Sequence, residues 1–135
     1  MDSTTRERIR ERAKYRCEYC LLPEAATPFV PFHVEHIIAK QHMEDNSQDN
    51  LALACDRCNA FKGTNLSSVD PESGDIVTLF HPRQDIWTDH FLIDQATIAG
   101  KSPKGRATVN LLQFNAKRRI ELRQSWLRGG GVFED

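Results

Sequence analysis

Phe32-His33-Val34-Glu35-His36-Ile37-Ile38 is followed, after a polar loop, by Asp49-Asn50-Leu51-Ala52-Leu53-Ala54-Cys55-Asp56-Arg57-Cys58-Asn59-Ala60-Phe61-Lys62-Gly63. The first segment alternates branched and polar residues and reads as a strand. Leu51 to Ala54 is a short apolar run that can pair with it as a second strand. The cysteine pair and Asn59-Ala60-Phe61-Lys62 then open a short helix that stops at Gly63. Upstream, Cys17-Glu18-Tyr19-Cys20 has the same Cys-x-x-Cys spacing as Cys55-Asp56-Arg57-Cys58. Two such knuckles a few tens of residues apart have the spacing of a structural zinc site. Reduced buried thiols do not explain the equal spacing. A redox dithiol would place one pair at a βα junction, not two. Zinc on Cys17, Cys20, Cys55 and Cys58 is therefore expected.

Working outward, Ser3 or Thr4 can cap a helix reaching to about Arg16, with Ile9 and Ala13 on its inner face. Pro23, Pro28 and Pro31 make residues 21–31 a loop, and residues 39–49 form a second, polar loop. Asp70-Pro71-Glu72-Ser73-Gly74 is a turn. Ile76 to Phe80 reads as a strand, and His90 to Ile93 with Ala96 to Ala99 as a hairpin around Asp94-Gln95. Trp87 and Phe91 belong to a core. Ser102-Pro103 starts a helix to about Phe114, and a second helix runs from about Asn115 to Leu127. Val109, Leu112, Ala116, Ile120 and Leu127 would be the buried stripe of a continuous helix. The fold class is thus α+β, one domain over residues 1–135. A zinc-stapled two-strand-and-helix finger occupies 17–63, and an accessory hairpin with helices occupies 70–128.

The chemistry concentrates between the knuckles and just after them. Glu35 is a hard oxygen ligand suited to Mg²⁺ or Mn²⁺, and Asn59 offers a second oxygen. Two protein ligands leave positions for water and a phosphate, as Mg²⁺ prefers. His36 is the natural general base, since a neutral imidazole takes a proton from water near pH 7. These parts suffice for phosphodiester hydrolysis. Adjacent strand residues face opposite sides, so Glu35 and His36 share a site only where the strand ends, twists or bulges. His33 shares the Glu35 face and is a candidate additional ligand. Ordinary structural roles exist beside these: Glu35 as the partner of a basic residue, His36 as a backbone-bonded histidine, Asn59 as a helix cap.

The two knuckles, Phe32 to Ile38 and Asp49 to Gly63 together resemble the HNH endonuclease family, most closely its zinc-bearing branch, which includes modified-cytosine restriction nucleases. The resemblance covers about residues 17–63. It implies a ββα-metal (His-Me finger) core and metal-dependent DNA cleavage. Glu35 then matches the acidic metal ligand and His36 the base. Asn50 matches the middle asparagine, which holds the loop between the strands and orients the base. Asn59 matches the last motif residue, a metal ligand that is His in many members; Asn here suits Mg²⁺. The implied catalytic set is Glu35, His36, Asn50 and Asn59. Lys62 matches a basic position able to touch a phosphate, and Arg57 is a candidate for stabilising transition-state charge.

Charge is unevenly spread. The net of −1 over 135 residues hides +3 in residues 1–16, +7 in residues 101–128 and −11 elsewhere. Basic ends flank an acidic centre, which suits a polyanion partner and a cation in the middle. Lys104, Arg106, Arg118 and Arg119, with Lys101, Lys117 and Arg123, are candidates for a DNA backbone held across two helices. The plain alternative is a solvated helical face. Asp2-Ser3-Thr4-Thr5-Arg6-Glu7-Arg8 lacks the apolar core of a signal peptide, and no apolar run spans a membrane. A cytoplasmic protein of bacterial or phage type is expected, acting on double-stranded DNA as a monomer or weak homodimer. One rival reading uses the same residues: a non-catalytic, zinc-stabilised nucleic-acid-binding module. A protein-interaction domain on the same scaffold is the other.

Overall fold

Asp2, not Ser3 or Thr4, starts the first helix. Its Oδ1 accepts the Thr5 amide at 2.7 Å, and α1 runs from Ser3 to Arg12. The helix stops earlier than Arg16 because Lys14 and Tyr15 take positive φ values of 57° and 55°. Tyr15 N–H bonds to Arg10 O and Lys14 N–H to Glu11 O, a Schellman closure without glycine. That reversal lets Arg16 bridge to Pro23 and folds the first knuckle back on itself. The computed structural model describes residues 1–133.

Two antiparallel strands follow, β1 (His33–His36) and β2 (Leu51–Ala54), with Glu35 opposite Ala52 and His36 opposite Leu51. Every residue of β2 is buried because the strand is covered on both faces. Leu51 and Leu53 meet Ile9 and Ala13 of α1, while Ala52 and Ala54 face the main core. This period-two division is what Leu-Ala-Leu-Ala encodes. Helix α2 (Asp56–Lys62) comes next. It ends at Gly63, whose φ of +51° favours a residue without Cβ.

The second half is stitched to the finger by aromatics. Strands β3 (Ser67–Val69) and β4 (Ile76–Thr78) pair across the expected turn at 70–74. The pattern of β3 alone did not announce a strand, since Ser67 and Val69 are exposed; it forms because the turn returns the chain beside it. A four-residue helix α3 (Trp87–His90), also unanticipated, leads into the hairpin β5 (Phe91–Asp94) and β6 (Thr97–Gly100). Trp87 Nε1 donates to Tyr19 O at 2.8 Å, so an accessory side chain is bonded to the first knuckle. Phe80 stands edge-on to Tyr19 and Phe91, with ring centroids 6.3 and 5.2 Å apart, geometries that favour aromatic pairs. Trp87 and Phe91 are core residues as the sequence suggested.

Helix α4 (Pro103–Leu111) starts on Ser102, whose side chain accepts the Gly105 amide, and α5 (Lys117–Arg128) follows a break at 112–116. The continuous apolar stripe is not what forms. Leu112 is buried, but Ala116, Ile120 and Leu127 are only half-buried, and the fully buried residues of α5 are Arg119 and Arg123. The break resets the helix register, so α5 turns a polar face inward against carbonyls and thiols.

Two contacts fix α4. Asp70, buried, accepts Arg106 Nε and Nη2 at 2.9 and 2.8 Å, the Glu72 amide and the Ser73 hydroxyl. The Arg106 guanidinium holds the Asp70 carboxyl far below its ordinary range. A depressed carboxyl stabilises the fold above its unfolded value and loses that contribution as pH falls through the folded one. Asp70→Asn should lower the urea midpoint at pH 7, with the gap to wild type narrowing as pH drops below about 4. Gly105, for its part, passes so close to the last residue of α3 that a Cβ would lie 2.0 Å from His90 O. Gly105→Ala should therefore cost about 1–3 kcal/mol in urea unfolding, with backbone displacement at α4.

Candidate active site and metal centre

The four-cysteine centre is built by two short turns. In the first knuckle, the Cys20 amide points at Cys17 Sγ at 3.5 Å. In the second, Cys55 caps α2, and its Sγ accepts the Cys58 amide at 3.4 Å. All four sulfurs lie within 4.8 Å of one another, and Cys20 Sγ is 3.7 Å from Cys55 Sγ. Sulfurs about 2.3 Å from a tetrahedral zinc would stand slightly under 4 Å apart, so the soft donor set fits that ion. All four thiols are buried and none is in a disulfide. Arg119 Nη2 donates to Cys58 Sγ at 2.9 Å and reaches Cys55 Sγ at 3.6 Å. Sequence reasoning placed Arg119 on an outward basic face and missed this contact. Helical spacing from Arg123, on the same side of α5, was the only available sign.

Glu35 is buried in β1, whereas His36, at the strand's last position, is partly exposed. The Glu35 carboxylate turns inward and is 8% exposed. Its Oε2 is 4.0 Å from Lys62 Nζ, while Oε1 is buried with no hydrogen-bond partner, as is Tyr19 Oη. Burial pushes the Glu35 carboxyl up; Lys62, Tyr19 and His33 pull it back. An orphaned anionic oxygen is costly inside a protein, and it is the feature a hard divalent cation would satisfy. His33 Nε2 is 3.4 Å from Asp56 Oδ1 rather than closed onto Glu35. Among the described residues, the cysteines are the only group of three or more His, Cys, Asp or Glu ligands that converge. A second cation would thus rest on few protein atoms, with Glu35 and Asn59 as candidates. Asn59 is half-buried on α2, and its carbonyl accepts the Gly63 amide.

His36 stands at the end of β1, where its Nε2 is 2.8 Å from Asn46 Oδ1. An amide oxygen accepts, so Nε2 carries the hydrogen and Nδ1 keeps its lone pair. Asn46 gave no sequence signal, being one polar residue in a polar loop. Asn50 closes that loop: Oδ1 accepts the Ile38 amide at 2.9 Å, and Nδ2 donates to Ile38 O and Asp45 O at 3.0 and 2.9 Å. Buried at the junction of loop and strand, Asn50 joins both ends of the segment that carries His36 and Asn46.

The basic residues separate by burial. Lys62, 2% exposed, donates to Ile37 O at 2.8 Å and tethers α2 to β1 instead of facing solvent. Arg119, 5% exposed, faces the thiols. Lys104 pairs with Asp85 at 2.9 Å and Arg106 with Asp70. Lys101 Nζ donates to Thr88 O, and Arg123 is buried against carbonyls. The expected row of outward cations across two helices is therefore broken, because its members satisfy internal acceptors. Arg57, Lys117 and Arg118 remain exposed.

Residues 17–65 match the HNH endonuclease family profile. Over 114 residues, 82% of its length, the chain is 29% identical to the Septu protein PtuB of Bacillus thuringiensis. It spans 40% of that protein's length. No solved structure matches the chain.

Two measurements probe the site. Elemental analysis should find one zinc per chain in the purified protein, and Cys58→Ala should lose the metal together with cooperative melting. Asn46→Ala should retain zinc and its melting curve. It should slow any strand cleavage by about ten- to a hundred-fold, because a misplaced base is poorly aimed.

Proposed function

We propose that the chain is a metal-dependent DNA endonuclease that hydrolyses one phosphodiester bond per visit and nicks double-stranded DNA. The observation that carries this reading is the HNH segment with Glu35, His36, Asn50 and Asn59 all present, His36 being aimed by Asn46. Zinc on Cys17, Cys20, Cys55 and Cys58 is the structural ion. Glu35 and Asn59 would hold Mg²⁺ or Mn²⁺, with His33 close on the same strand face. Such an ion, when bound, supplies charge stabilisation for the phosphate and the departing oxygen. His36 Nδ1 takes the proton from the attacking water, and the imidazolium so formed keeps its Nε2–H on Asn46. Asn50 keeps the loop from drifting and so fixes the angle of that ring.

Arg57, inside the second knuckle, and Arg118, on the same groove, are exposed and are the cations best placed for a DNA backbone. Lys104 and Arg106 would contribute only by exchanging their carboxylate partners for phosphates. Products with 5′-phosphate and 3′-hydroxyl ends are expected from the class. A single finger cuts one strand, so double-strand breaks would require a second copy. Among the described residues no helix is long and apolar enough to cross a membrane; a cytoplasmic site of action accords with a DNA substrate.

One feature favours the rival, a binding module without catalysis: Lys62 already lies beside the buried Glu35 and answers part of its charge. A plasmid assay separates the two. Supercoiled DNA with Mg²⁺ or Mn²⁺ should be nicked, EDTA should stop it, and His36→Ala should slow it by about 10²–10⁴-fold while still binding DNA. Salt-sensitive binding with no cleavage in either metal, from zinc-loaded protein, would favour the module.

A further inference from the structure

Arg119 and Arg123 are the most deeply buried cations of the C-terminal helix, 5% and 1% exposed. Four residues apart, they share one face of α5. Buried guanidiniums are ordinarily matched by carboxylates. Here none is within ion-pairing distance of either among the described residues. Arg119 instead donates to Cys58 Sγ and to the carbonyls of Leu112 and Gln113, and its guanidinium lies 5.6 Å from the Phe114 ring centroid. Arg123 donates to Ala96 O at 2.6 Å and to Phe114 O, and lines the same groove as Cys20 and Cys55. Carbonyls orient these groups but carry no net charge. The thiol cluster is the source of negative charge that Arg119 touches, while Asp56 in the same groove is exposed and lies against His33.

Four thiolates around a divalent zinc leave a doubly negative centre. Two arginines supply the opposite charge in equal amount. We propose that Arg119 and Arg123 are the built-in counter-charge of a zinc tetrathiolate, so that metal loading of the finger and docking of α5 are one coupled event. The inference rests on the proposed zinc site. It explains why α5 turns arginines inward where an apolar stripe would ordinarily pack. It also joins the two halves of the chain thermodynamically. Each stabilises the other by the same amount, because coupling is reciprocal. Arg118, exposed beside Arg119 on the same helix, is then presented only when the finger holds its metal.

The test is a competition titration of zinc and cobalt against a chromogenic chelator, with Arg119→Met and Arg119→Lys beside wild type. Arg119→Met should weaken metal affinity by about 10–100-fold. Its thiolate-to-cobalt charge-transfer band should move to longer wavelength, because the sulfur lone pairs lose a charged donor. Arg119→Lys, which keeps the charge but not the fork, should fall between. In the zinc-loaded Arg119→Met protein, trypsin should cut at Lys117 and Arg118 faster than in wild type. If Arg119→Met does not fold with either metal, Arg119→Gln, which removes the charge but keeps a donor, carries the same readout, and a band and affinity identical to wild type overturn the proposal. A wild-type chain that takes up no zinc overturns the site and the inference together. A zinc-loaded wild type matched within about twofold by Arg119→Met, with an unmoved band, overturns the inference alone.

Discussion

Closure of Cys17, Cys20, Cys55 and Cys58 into one cluster is the constraint on which the other elements depend. It joins a turn before β1 to the first turn of α2, so both strands of the finger are trapped between its two ends. The same cluster is the floor of the main core. Tyr19, inside the first knuckle, receives Trp87 on its carbonyl and Phe80 against its ring. Arg119 reaches the second knuckle from the far end of the chain. A chain of this size buries limited apolar area, and a polar staple at the centre compensates by tying distant segments to one point.

That arrangement positions the reactive residues by division of labour. Backbone pairing sets β1 against β2, with Glu35 buried opposite Ala52 and His36 partly exposed at the strand end opposite Leu51. Asn50 then fixes the loop end, and Asn46, within that loop, holds the imidazole. The inner side of the strand is enriched in uncompensated polarity, with Glu35 Oε1 and Tyr19 Oη unpartnered and Lys62 near. Such unsatisfied groups are rare in protein interiors and tend to mark places where another species binds. The relation to the Septu protein PtuB covers under half of that protein. The chemistry argued for this chain therefore stands on its own finger.

Legibility in the sequence followed the range of the interactions. Leu51 to Ala54 read correctly because alternation is local, and Ser102-Pro103 because a cap is decided within one helical turn. The hairpin at Phe91 to Gly100 was visible in its flanking branched residues, though its turn moved by one residue, from Asp94-Gln95 to Gln95-Ala96, with Gln95 at a φ of 54°. Strand β3 was missed because its pairing is supplied by a neighbour. Of the candidate site residues, the cysteines, Glu35, His36, Asn50 and Asn59 were named from spacing and resemblance, whereas Asn46 and Tyr19 were not. Nothing in a polar loop or inside a knuckle distinguishes a residue that will bond a histidine or be buried with an unpartnered hydroxyl.

The amino-acid order by itself determined the class of the fold, the paired cysteine knuckles and the resemblance of the finger to the HNH family, because each is a pattern of fixed spacing along the chain. Only the tertiary structure decided the fate of the charges. Lys62 read as a phosphate-facing cation of the finger, and Arg106, Arg119 and Arg123 as part of a DNA-facing set on two helices, yet each was drawn to an internal acceptor. A cation's partner is chosen by what lies across a packed interface, tens of residues away in sequence, and composition carries no record of that pairing.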